Sequence, residues 1–349
     1  MKRINLLIFW IGIGLSFSCS TDPVDVPKGE FEKGVLIVNE GAFGANDGEV
    51  YHYDPQTGEV QQDIFEKVNH RPFAGLIQDM VAHAENFYIV ANTGKVEVVR
   101  SSDFQSLGAV SGNGLENCRH LAVAGDKLFI SDWGPYDNAW ANPDSFLAVV
   151  EGPEGGAVSN KISVPSRPEG LFVANGKILT ACSAAGVFAV IDPEKEELES
   201  IVPVDGAPFS FFEYETGIYL YARTDEAIYF HRINPNDFSI LNTVETALTN
   251  TIYNGNFALG ENGEVYVITS GGTSDKVVVV SLISGDIINE AFYSGADFYG
   301  LGYHKSEKTL YIGEHNGWQG NGSVKKINAE GELTGTIAAG RGPSGFIFR

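Results

Sequence analysis

A short strand-like hexamer, apolar at its start and small or polar at its end, recurs seven times along this chain. The copies are Val35–Glu40 (VLIVNE), Phe87–Asn92 (FYIVAN), Leu128–Trp133 (LFISDW), Ile178–Ser183 (ILTACS), Ile218–Arg223 (IYLYAR), Val265–Ser270 (VYVITS) and Leu310–His315 (LYIGEH), 40 to 52 residues apart. A period of this length excludes leucine-rich repeats and parallel β-helices, which repeat faster. The absence of amphipathic helical runs excludes TPR-type arrays. A second apolar run follows each hexamer: Glu49–Tyr53, Lys95–Val99, Phe146–Val150, Val187–Ile191, Ala227–Arg232, Lys276–Val280 and Ser323–Ile327. Turn signals such as Asp54-Pro55-Gln56-Thr57-Gly58 and Asp192-Pro193 come next, then a more variable third strand, as at Leu198–Val204 and Leu333–Ala338. Before each hexamer lies a segment rich in small residues, for example Pro168-Glu169-Gly170, Pro208-Phe209-Ser210, Phe298-Tyr299-Gly300 and Pro343-Ser344-Gly345. Such residues suit inner strands crowded about a narrow axis.

Four strands per repeat and seven repeats predict an all-β, seven-bladed β-propeller over residues 33–349. The last inner strand, Gly345–Arg349, and the first strand, Val35–Glu40, would share one blade and so close the ring by pairing of the N- and C-terminal strands. Closure hides the sheet edges that an open array would expose. The composition agrees: 41 glycines and only 19% charged residues in 349 fit many short strands joined by tight turns.

The first residues read as a targeting signal. Lys2 and Arg3 precede an apolar stretch, Leu6–Leu15, too short to span a bilayer. Residues 1–18 are therefore expected to be a signal peptide. The sequence Leu15-Ser16-Phe17-Ser18-Cys19 resembles a bacterial lipoprotein box, in which Cys19 becomes lipidated. Its leucine sits one place early and Phe17 is bulky, and ordinary cleavage nearby with an incidental Cys19 is the alternative. Residues 19–32 are expected to form a flexible tether, and the protein to sit at the outer membrane or cell surface, held by lipid alone. Cys118 and Cys182 either pair or remain buried free thiols. A net charge of −22 repels phosphate backbones and anionic lipid, so nucleic acid is excluded as a partner.

The segment Val38-Asn39-Glu40-Gly41-Ala42-Phe43-Gly44-Ala45-Asn46-Asp47-Gly48, together with Phe65-Glu66-Lys67-Val68-Asn69, resembles YncE-like propeller lipoproteins that carry the DUF5074 type of domain. Arg167-Pro168-Glu169-Gly170 and Gly342-Pro343-Ser344-Gly345 are similar to the blade starts of that group. The surface members called BtuG-type capture vitamin B12 and related corrinoids for an outer-membrane transporter. The resemblance thus implies a non-enzymatic small-molecule-binding lipoprotein with a corrinoid ligand and a transporter partner. A protein- or glycan-interaction scaffold is the alternative, and a metal-dependent lyase or lactonase-like propeller a third.

In a propeller, loops entering the inner strand and loops leaving the next strand share one face. Three of the four tryptophans fall in such loops: Trp133 and Trp140, with Tyr136, in residues 133–142, and Trp318 in residues 316–321. Phe43 and Asn46 lie in a third. Aromatic rings beside amides suit a large amphipathic ligand, although rings and amides also pack and cap long loops. Arg71, Arg119, Arg167 and Arg341 occupy similar places before inner strands, and Arg223 ends a hexamer. They either receive a phosphate or carboxylate or pair with acids such as Asp79 and Glu169. The expected ligand contacts are completed by Phe298, Tyr299 and His315. His120, Glu169 and Asp297 stand near inner-strand starts, but no repeated metal-ligand set appears. With no Gly-x-Ser-x-Gly elbow, P-loop or haem-attachment motif, neither a catalytic residue nor a cofactor is expected.

Overall fold

The computed structural model describes residues 29–110, 114–252 and 255–349. The signal peptide, Cys19 and most of the expected tether lie outside them. Each hexamer forms the second strand of a four-stranded antiparallel sheet, and there are seven such sheets. Blade 1 combines Pro343–Phe348, Val35–Asn39, Glu49–Tyr53 and Val60–Gln61. Blades 2 to 7 begin with the inner strands Ile77–His83, Cys118–Ala124, Pro168–Ala174, Ala207–Tyr214, Phe257–Leu259 and Phe298–His304. The ring closes as expected: Val35 pairs with Phe348 and Ile37 with Phe346.

Second and third strands carry residues that are apolar on both faces, since both faces of a blade pack on neighbouring blades. Tyr88, Val90, Val96 and Val98 of blade 2 meet Leu128, Ile130, Ala148 and Val150 of blade 3 in one cluster. Ile268, Val277 and Val279 of blade 6 meet Leu310, Ile312 and Ile327 of blade 7 in another. Outer strands are polar on their open side, as in Val158–Ser163 and Glu197–Pro203. Cys118 and Cys182 lie in separate blades as buried free thiols.

Two features depart from the sequence expectation. A one-turn-and-a-half helix, Ile64–Asn69, fills the passage from blade 1 to blade 2, with Ile64 and Phe65 buried. The end of the expected tether is docked: Glu30–Glu32 forms a 3-10 turn and Phe31 is buried. Its ring meets His52 edge-on at 5.4 Å and Phe104 at 5.6 Å. Gln61 Nε2 also donates to Glu30 Oε1 at 2.6 Å and Ser101 Oγ to Glu32 Oε1 at 3.3 Å, so burial of the ring and side-chain hydrogen bonds together hold this polar turn.

Candidate functional site

Inner strands begin in a common way. Their ladders slip between Ile77 and Asp79, Cys118 and Leu121, Pro168 and Leu171, Pro208 and Ser210, and Phe298 and Leu301. The closing strand slips at Ser344, because Val38 and Asn39 pair with Gly345 and Pro343. A bulge leaves its extra residue outside the ladder and re-aims the side chain. Here those residues are Gln78, Arg119, Glu169, Phe209, Tyr299 and Ser344, and all six line one axial shaft of about 300 Å³. Asn256, just ahead of the inner strand of blade 6, supplies the contribution of the one remaining blade.

Above the shaft, on the loop face, opens a basin of about 570 Å³. Its walls are apolar: Phe43, Leu76, Trp133, Phe209 and Trp318. Its floor is a hydrogen-bonded chain running across the blades. Tyr299 donates its hydroxyl to Glu40, Gln78 donates Nε2 to Glu40 Oε1 at 2.8 Å, and Arg119 donates to Gln78. Arg119 Nε also meets Glu169 Oε2 at 3.2 Å, and Ser183 donates to the other oxygen of Glu169 at 3.1 Å. The Arg119 guanidinium lies 4.5 Å from the Trp133 ring and that of Arg167 lies 4.9 Å from it. Within the shaft His120 Nδ1 stands 3.2 Å from Asp79 Oδ2.

A third cavity of about 510 Å³ opens between blades 6 and 7, with Tyr299 and Trp318 forming the wall it shares with the basin. No cluster of three or more His, Cys, Asp or Glu side chains able to hold a metal ion occurs among the described residues.

The expected site residues divide into two groups. Phe43, Arg119, Trp133, Tyr299 and Trp318 converge on the basin, and Phe298 and His315 line the neighbouring cavity. The others do not line these cavities. Arg71 turns away from the axis to Glu97 and Ser106 on the outer half of blade 2, held over the Phe65 ring. Arg167 is spent on Asn142 Oδ1 at 2.9 Å and the Trp140 carbonyl at 2.9 Å. Arg223 donates to Thr251 at 2.8 Å. Asn46 sits in an exposed turn at φ 54. Tyr136 and Trp140 meet at a tilt with ring centroids 5.8 Å apart, and Trp140 is 76% exposed on the rim. Glu40, Gln78, Phe209 and Asn256 were not singled out from the sequence as contacts. No residue-type signal marks Gln78 or Phe209, because a slip in the ladder turns them inward without altering the composition of the strand.

The fold defines a class: closed seven-bladed propellers, here with an aromatic-walled basin at the loop-face mouth of the axis. Over residues 33–348 the chain matches the family described as Domain of unknown function (DUF5074), and it belongs to that family. No curated protein matches it. Among solved structures it is similar to a quinonprotein alcohol dehydrogenase-like protein from Bacteroides thetaiotaomicron, at 13% identity and TM-score 0.67 over 91% of this chain and 78% of that one. It is also similar to the periplasmic gluconolactonase of Pseudomonas aeruginosa, at 14% identity and TM-score 0.66 over 90% and 98% of the two chains. A functionally unknown protein from Desulfotomaculum acetoxidans matches at 14% and 0.61 over 90% and 98%. At these identities the likeness is one of fold.

Proposed function

We propose that this protein is a non-enzymatic, surface-anchored binding lipoprotein that captures a broad amphipathic small molecule on its loop face, with a corrinoid as the ligand to test first. The supporting observation is the basin itself: aromatic walls at Phe43, Trp133 and Trp318 around a floor of amide, guanidinium and carboxylate groups. The flat faces of a corrin macrocycle would lie against the rings, and its peripheral amides would exchange hydrogen bonds with Gln78, Glu40 and Asn92. The floor is already cross-linked, so little side-chain freedom would be lost on binding. A basin of about 570 Å³ encloses only part of such a ligand. The uncovered part would be available to an outer-membrane transporter.

Calorimetric titration of residues 20–349 with cyanocobalamin and cobinamide tests this reading. Binding at one ligand per chain, weakened at least tenfold by Trp318→Ala or Phe43→Ala, is the expected outcome. Absence of both heat and thermal shift would remove the corrinoid. A second reading draws on the His120–Asp79 pair in the shaft, an arrangement that suits a general base. Turnover of a sugar lactone abolished by His120→Asn would replace capture with catalysis.

A further inference from the structure

We infer that the cavity between blades 6 and 7 is a second binding subsite, built for a protonated amine. It goes beyond the corrinoid reading and uses a different space. Two carboxylates line it, Asp275 and Asp297, and no lysine or arginine does. Asp275 is nearly fully buried and accepts the Phe298 backbone N–H at 2.9 Å with one oxygen. Asp297 is held at φ 61, a conformation few non-glycine residues adopt, and its carbonyl accepts the His315 N–H at 2.9 Å. That bond fixes the Asp297 backbone beside the cavity.

The donor and acceptor balance sets the ligand class. His315 presents Nε2 toward Asp297 Oδ1, 3.9 Å away. The carboxylate oxygens of Asp275 and Asp297 are acceptors, and the side-chain donors of the lining besides the ring N–H groups are the hydroxyls of Ser270, Thr273 and Tyr299, the last already given to Glu40. With two carboxylates and no cationic side chain along its wall, the cavity calls for a positively charged ligand rich in N–H donors. Around these groups stand aromatic rings. Trp318 stacks on His315 at 4.8 Å, Tyr299 meets Trp318 edge-on at 4.9 Å, and Phe298 closes the side. Ring faces attract an organic cation, and carboxylates fix its N–H groups. A primary alkylammonium meets both demands. A neutral polyol would leave the negative charge uncompensated, and a bare metal ion would gain nothing from the rings.

The test is calorimetric titration of residues 20–349 at neutral pH with butylammonium chloride, and in parallel with 1-butanol. Saturable binding of the ammonium at one per chain, absent for the alcohol and weakened at least tenfold by Asp297→Asn, is expected. Asp275→Asn should act in the same direction, but it loses charge at the Phe298 contact and can lower stability. Asp297, more exposed, therefore carries the decision. Equal binding of alcohol and ammonium, no saturable binding of either, or an affinity unchanged in Asp297→Asn would each overturn the proposal. The corrinoid titration is a separate measurement, so either reading can fail alone.

Discussion

Arg119 touches Gln78, Glu169 and the Trp133 ring together, and this explains both why it was found from sequence and why some other arginines were misplaced. A basic residue before an inner strand is visible in sequence, but the direction of its side chain depends on the bulge that follows. Arg119 lies inside a bulge and points into the shaft, whereas Arg71 lies six residues before its strand and pairs with Glu97 on the outer half of the blade. Because Glu169 is almost fully buried, removing Arg119 leaves its charge uncompensated. Arg119→Met should lower the unfolding free energy in urea by about 3 kcal/mol, and adding Glu169→Gln should recover much of that loss. The thiols make a second case. Burial drives the Cys182 thiol up to about 12, with the Glu169 charge adding to it, and burial likewise raises Cys118, beside Asp132. Neither forms thiolate near neutrality. A thiol reagent at mildly alkaline pH should label neither in the folded protein lacking residues 1–19, and both after unfolding. His231 supplies a pH dependence. Burial lowers its pKa, and the ring is fixed between Thr243 at 2.8 Å and the Asp205 carbonyl at 2.9 Å. The unfolded chain therefore takes up the proton first. The stability this group contributes is present above about pH 6.5 and is lost as the pH falls through its lower folded value. The thermal midpoint should drop from about pH 7 to about pH 5, and His231→Gln should make that slope shallower.

At the scale of the strand, the seven hexamers were legible because second strands are buried on both faces and must be apolar throughout; each matches an observed strand to within a residue or so. The inner strands were legible through their small residues. Gly300 shows why: a Cβ there would stand 2.6 Å from the Pro343 carbonyl oxygen of the adjacent inner strand. Gly300→Ala must push two backbones apart at the axis and should cost about 1–3 kcal/mol in denaturant unfolding. The bulges were not legible. A single-residue slip alters no residue type, so the strand periodicity that revealed the blades could not show which side chains the slip turned inward. Glu40, Gln78 and Phe209 became site residues only once the register was known. The aromatic loop containing Tyr136 and Trp140 fails for the complementary reason. Its rings pair with each other on the rim, and ring content alone does not tell a wall from a self-packed loop. The short helix Ile64–Asn69 escaped because six residues are too few to establish a helical period.

At the scale of the molecule, the basin and the first described residues lie on opposite faces of the ring. The basin is built from loops that enter inner strands and loops that leave second strands. The described chain starts on the other face: a Cβ on Gly29 would clash with Ser102, and His52 meets the Lys33 carbonyl at 2.8 Å beside the Asp54-Pro55 turn. Both contacts are at turns between third and fourth strands, which lie opposite the basin. Docking of Phe31 fixes this exit point. If Cys19 carries the lipid, as the proposed function holds, nine residues separate it from Gly29, the first described residue. An extended chain of that length spans about 30 Å. The basin should then point away from the bilayer, open to solvent and to a ligand. Lipid-anchored protein on vesicles, bearing a solvatochromic label introduced by Phe43→Cys at the rim or by Gln56→Cys beside the exit point, measures this directly. The label at position 43 should report bulk water and remain open to a soluble quencher, while that at position 56 should be quenched by spin-labelled lipid. The reverse pattern would place the basin against the membrane and require the ligand to arrive from the lipid side.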